Sequence, residues 1–80
     1  MKYTVYGTPG CNYCTRATNL LKVHRKYFDY VNLIKDDEAR KWITQIEGHK
    51  TVPQVYTTDA QGVAEYIGGF EELQASLATP

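Results

Sequence analysis

Read for its apolar positions, the chain breaks into seven stretches, each with a period of its own. In Lys2-Tyr3-Thr4-Val5-Tyr6 every residue after the first is β-branched or aromatic, and Gly7 with Thr8-Pro9-Gly10 supplies a turn, so a strand is predicted at the start. Between Cys11 and about Tyr27 no Gly or Pro intervenes. Cys14, Ala17, Leu20, Leu21 and His24 recur there at intervals of three and four, one face of a helix whose first turn holds both cysteines. Phe28-Asp29-Tyr30-Val31-Asn32-Leu33 alternates apolar with polar residues, as a half-buried strand does. A second helix follows: Asp36 caps it, Asp37 and Glu38 complement its dipole, and Ala39, Trp42, Ile43 and Ile46 form its apolar stripe. Gly48 sits where a left-handed stop belongs. Beyond Thr51-Val52-Pro53, residues 54–57 and 63–67 read as antiparallel strands joined through Thr58-Asp59-Ala60-Gln61-Gly62. Gly68-Gly69 then breaks the chain before Phe70, Leu73 and Leu77, the buried face of a short last helix with Glu71 and Glu72 in its first turn.

The order is therefore βαβαββα, an α/β pattern. The opening strand-helix-strand implies a right-handed crossover with parallel strands, and the later hairpin adds antiparallel strands to a small mixed sheet. With 80 residues, the pattern is read as one domain over residues 1–80. Hydrophobic residues at 42% and charged residues at 22% exclude the disordered, collagenous and coiled-coil classes. Aliphatic runs no longer than pairs such as Leu20-Leu21 predict no membrane span, and no apolar leader follows Lys2, so a cytoplasmic protein is expected. Nine basic residues balance nine acidic ones without forming a block, which argues against a nucleic-acid partner.

Charge thus points to no partner, and the chemistry rests on the two thiols. A bridge from Cys11 to Cys14 would close too short a loop to act as a strong staple. Half of a zinc site, or two inert thiols, are the other readings. Zinc would need further ligands, and His24 and His49 do not fall at finger-like spacings, although carboxylates remain available. A redox pair accounts for each position. Cys11 at the helix N-terminus faces unpaired N–H groups and the positive end of the dipole, which favour its thiolate and make it the nucleophile. Cys14, one turn along the same face, is placed to resolve a mixed disulfide formed on Cys11.

Cys11-Asn12-Tyr13-Cys14, Thr51-Val52-Pro53-Gln54 and Gly68-Gly69-Phe70-Glu71-Glu72-Leu73, in this order on this pattern, resemble the glutaredoxin family in its small dithiol branch of bacteria and phages. The match of order and spacing runs over nearly the whole chain. It implies a thioredoxin fold with a four-stranded mixed sheet and three helices. It also implies reduction of protein disulfides and glutathione mixed disulfides, with glutathione as reducing co-substrate and no bound cofactor or metal. By the same resemblance Val52-Pro53 is cis, leaving Val52 N–H and C=O to pair with the cysteinyl part of glutathione as an added strand would. Thr51 and Pro53 flank that contact. Gly69 allows close approach, the N–H groups of Phe70 and Glu71 hold the γ-glutamyl carboxylate, Glu71 or Glu72 attracts its amine, and Tyr13 flanks the bound disulfide.

Two positions depart from the family pattern. Thr8 stands where a basic residue often meets a glutathione carboxylate, with Lys50 as a candidate substitute, and Asn12 stands where Pro is common. Trp42 reads as core, His24 and His49 as structural or surface residues, and Arg16 as a solvent-facing cation near the thiols. The expected partners are glutathione and disulfide-bearing proteins, ribonucleotide reductase among the candidates, met by a monomer. A redoxin reduced by thioredoxin reductase is one alternative. Another is an iron–sulfur carrier in which Cys11 from two chains and two glutathione thiols hold a cluster.

Overall fold

In a computed structural model, which describes residues 1–78, the first strand, β1 (Lys2–Gly7), lies inside the sheet and supplies side chains to both of its faces. It pairs in parallel with β2 (Phe28–Asn32), Val5 opposite Tyr30, and antiparallel with β3 (Gln54–Thr58), Val5 opposite Val55. β4 (Ala64–Gly68) completes the order β2-β1-β3-β4, its pairing shifted in register between Val55 and Tyr56. The mixed sheet and its crossover are those expected from the pattern. The strand ends move slightly: Leu33 lies past β2 yet is buried, and β4 begins one residue after Val63.

Helix α1 (Asn12–Val23) starts at Cys11 and ends four residues before the expected Tyr27. The end is a left-handed cap. Arg25 takes φ +55°, with Arg25 N–H donating to Lys22 O at 3.0 Å and Lys26 N–H to Leu21 O at 2.9 Å, the bond pattern usually built on glycine. His24 consequently leaves the apolar stripe and is exposed.

Helix α2 (Asp37–Lys41) is capped by Asp36, whose Oδ1 accepts from Ala39 N–H at 3.0 Å. It passes directly into a π-helical turn, Trp42–Ile46, closed by Glu47 N–H donating to Trp42 O at 2.9 Å. A π turn advances each residue through a smaller angle than the roughly 100° of an α-helix. The stripe therefore slips: Ile43 is buried, whereas Ile46, expected on the same face, is 73% exposed. Helix α3 (Phe70–Ala78) runs to the last described residue and buries Leu73.

The two faces of the sheet hold separate cores. Tyr3, Val5 and Val55 meet Ala17 and Leu21 of α1 and Leu73 of α3 on one side. On the other, Tyr56 packs with Leu33 and Ile43, flanked by Tyr6, Trp42 and Val52. Trp42 is thus part of the core's margin, as expected.

Candidate active site

Cys11 is the N-cap of α1, with φ −87° and ψ 109°, and it is bridged to Cys14 across a Cα separation of 5.2 Å. The amide of Cys14 donates to Cys11 Sγ at 3.1 Å, so one of the open N–H groups of the first helical turn is aimed at the sulfur. In the reduced protein the same N–H would meet developing negative charge on that sulfur. Exposure separates the two residues. Cys11 is half-buried, while Cys14 is 1% exposed beneath it. Gly7 makes room for this packing: a Cβ there would lie 2.7 Å from Cys14 Sγ and would also strike the hydroxyl of Tyr30.

Across from the bridge, Val52 O lies 4.0 Å from Cys11 Sγ, and the Val52-Pro53 peptide is cis. Among the described residues neither the N–H nor the C=O of Val52 has a backbone partner. The segment is held from behind. Gln54, a buried polar residue, donates from Nε2 to Thr51 O at 2.9 Å and to Thr51 Oγ1 at 3.2 Å, while its Oε1 accepts from the Tyr66 hydroxyl at 2.6 Å. His49 stacks on Tyr66 with ring centres 4.8 Å apart, and its Nε2 is 2.9 Å from the Tyr56 hydroxyl. That hydroxyl donates to Glu47 Oε1 at 2.5 Å, which leaves its oxygen to accept from the imidazole. Burial, then the hydrogen bond and negative charge of Glu47, push the Tyr56 phenol well above its ordinary value.

A cavity of about 360 Å³ opens beside this segment. Its walls are Tyr13, Thr51, Val52 and Pro53 on one side and Gly69, Phe70, Glu71 and Glu72 on the other. The three sequence motifs thus converge: Tyr13, Thr51, Val52, Pro53, Gly69, Phe70 and Glu71, all expected to contact a substrate, share one concavity. At the far wall Glu72 folds back as a capping carboxylate, its Oε1 accepting from Gly69 N–H at 2.7 Å. Gly68, at φ +135°, permits this, because a Cβ there would lie 2.7 Å from the Glu72 side chain.

Three residues have roles that the motifs do not state. Gln54, the last residue of the second motif but given no role there, and Tyr66 act through the hydrogen bonds just described. Arg16 is exposed as expected, yet its guanidinium lies over the ring of Phe70, 4.7 Å from the centre, and 5.2 Å from that of Tyr13. It braces two rings that line the cavity without lining the cavity itself. Thr8 and Lys50 do not line this cavity; both belong to a neighbouring one that shares Thr51 and Val52. Among the described residues no group of three or more His, Cys, Asp or Glu side chains is arranged to hold a metal ion, and no helix is long and apolar enough to cross a membrane.

Comparison with known proteins gives the same reading of the chain. The family model for glutaredoxin matches residues 3–61. A glutaredoxin of Neisseria meningitidis is 33% identical over 73 residues, covering 88% of this chain and 78% of the relative. Among solved structures, the glutaredoxin-like NrdH-redoxin from Escherichia coli superposes with a TM-score of 0.76 at 20% identity, covering 100% of this chain and 97% of the other. A buckwheat glutaredoxin–glutathione complex gives 0.72 at 23% identity, over 92% and 66% of the two chains.

Proposed function

The chain belongs to the glutaredoxin family, whose members are thiol–disulfide oxidoreductases, and on that premise we propose that it uses glutathione to reduce protein disulfides and glutathione mixed disulfides by dithiol exchange. In this reading the Cys11 thiolate attacks a substrate disulfide and releases one thiol, leaving a mixed disulfide on Cys11. Cys14 then attacks Cys11 Sγ, releases the second thiol and closes the bridge. One glutathione thiolate reopens the bridge at Cys11, and a second removes the first as oxidised glutathione. Two electrons pass from two glutathiones to one disulfide, and no bound cofactor takes part.

The observation that carries this reading is the free backbone edge of Val52 facing Cys11 Sγ at 4.0 Å, beside a cavity closed by the N-terminus of α3. An extended tripeptide paired with Val52 would set its sulfur at Cys11. Its γ-glutamyl carboxylate would reach the Phe70 and Glu71 amides, and its amine Glu71 or Glu72. Tyr13, Thr51, Pro53 and Gly69 shape the wall. The buckwheat relative, solved with glutathione, supports the choice of ligand.

A second reading is favoured by Thr8, which removes a basic contact from the family pattern, and by likeness to a bacterial redoxin described as having a thioredoxin-like activity profile. There thioredoxin reductase would reduce Cys11–Cys14, and a cytoplasmic enzyme such as ribonucleotide reductase would take the electrons. One experiment separates the two. Reduction of a small glutathione mixed disulfide is coupled to glutathione reductase and NADPH, with Cys11→Ser as control. Turnover abolished by Cys11→Ser is the expected result. Absence of turnover in folded, reduced wild type, together with reduction of insulin through NADPH and thioredoxin reductase, overturns the glutathione reading in favour of the second.

A further inference from the structure

A second cavity, larger than the one assigned to glutathione, lies beside the same peptide. It measures about 560 Å³ and lies on the other side of the Thr51-Val52 peptide, which walls both. Its volume falls within the roughly 300–1,000 Å³ of small-molecule sites. Leu33, Ile34, Ile43 and Val52 make it apolar, and Arg40 and Lys50 supply its charge; no carboxylate lines it among the described residues. Asp37 already pairs with Arg40, but Lys50 has no ion-pair partner among the described residues.

Ile34 is the telling residue. It is 67% exposed at the cavity's edge, an expensive place for a large aliphatic side chain to meet water. Nor is it a loose tip, since its backbone N–H donates to Asn32 Oδ1 at 2.9 Å, fixing the turn that presents the side chain. Ile34 and the buried Ile43 thus offer an apolar edge and an apolar floor beside the same backbone that would bind substrate.

We propose that this cavity is a side-chain subsite for polypeptide disulfides, taking an apolar residue that follows the target cysteine and favouring an acidic residue after it. The direction rests on the glutathione reading. With the γ-glutamyl end at α3, the carboxyl-terminal side of a strand laid along Val52 runs toward Thr8 and Lys50. Glutathione has only a glycine on that side and leaves the apolar floor empty. A polypeptide has a side chain to place there and a backbone that continues past it. The cations at the rim then select the sign of the next residue. The occupant is therefore an extended segment of a disulfide-bearing protein, and the subsite adds selectivity among such segments without touching the exchange chemistry.

The test uses the full chain, reduced beforehand, and symmetrical disulfides of end-blocked tetrapeptides. Each reduced chain converts one peptide disulfide into two thiols as Cys11 and Cys14 close their bridge, and the release of peptide in this single turnover is followed by chromatography. Ala-Cys-Leu-Glu disulfide should react with a second-order rate constant about tenfold above Ala-Cys-Gly-Gly, the factor expected from partly burying one leucine side chain. Ala-Cys-Leu-Lys should fall between them. Ile34→Glu should erase the preference for leucine while the glycine peptide reacts as before, and Ile34→Leu should retain it. Equal rates for the leucine and glycine peptides in wild type, or a preference that survives Ile34→Glu, overturns the subsite. Glutathione disulfide run in parallel keeps the two proposals apart. If it fails to react while the leucine preference and its Ile34 dependence hold, the glutathione reading falls and the subsite stands.

Discussion

The two faces of the sheet are packed by different chemistry. Toward α1 and α3 the contacts are mainly aliphatic: Val5, Val55, Leu21 and Leu73 are all fully buried, with Ala17 and the ring of Tyr3. Toward α2 the material is aromatic and directional. Tyr56 touches Tyr6, Trp42, His49 and Tyr66, and its hydroxyl joins Glu47 to His49. A packed aliphatic layer resists deformation through volume alone, whereas a hydrogen-bonded cluster fixes angles as well. Each cysteine stands on the helix that closes the first face. The Thr51–Pro53 segment is tied to the second, through Gln54 and Tyr66. Support for bond exchange and support for recognition are therefore separable.

The largest effect should come from the aliphatic face. Leu21→Ala is expected to cost about 3 kcal/mol in denaturant unfolding, as other fully buried leucines do. The fraction that remains folded should keep its KM; a KM that rises in step with lost stability would dissolve the distinction. Gln54→Leu cuts deeper into recognition. It removes both bonds to Thr51 and the acceptor for Tyr66, and should raise KM for a glutathione mixed disulfide roughly fivefold while kcat stays within about twofold, because the segment must be ordered on binding. Tyr66→Phe should shift KM the same way by less.

A pH series probes the aromatic face by itself. Burial raises the phenols of Tyr6, Tyr30, Tyr56 and Tyr66 above 10.0 in the folded protein, with the Glu47 bond and charge adding to the rise at Tyr56. Below 10 every one of these groups is protonated, folded or unfolded, and their contribution is fully present. Above it the unfolded chain loses protons that the folded chain retains, so stability falls as pH rises. The denaturation midpoint should drop in alkali, and Tyr56→Phe should make that drop shallower without abolishing it. Smallest of all, Arg25→Gly relieves a left-handed arginine at the end of α1 and should raise stability by a few tenths of a kcal/mol, with KM unmoved.

Much of this was legible from residue order. Spacing alone placed Cys14, Ala17 and Leu21 inward, Asp36 at a helix start and Gly48 past a helix end, because caps and stripes act over one or two turns. Three motifs far apart in sequence were expected to serve one ligand, and they do line one cavity. The misses share a cause. No glycine marks the end of α1, since Arg25 adopts a glycine-like angle under the pull of two backbone bonds. The π turn that expels Ile46 has no compositional signature, because its residues suit an α-helix equally well. Gln54 and Tyr66, on different strands, meet only once the hairpin has closed with its shifted register.

The unequal exposure of the two sulfurs has a use outside turnover. After reduction, a water-soluble alkylating reagent meets one ready target, Cys11, and reaches Cys14 only if α1 lifts away from the sheet. A second equivalent of label per chain would then act as a clock on that opening, turning Cys14 into a native reporter of local unfolding that needs no added probe.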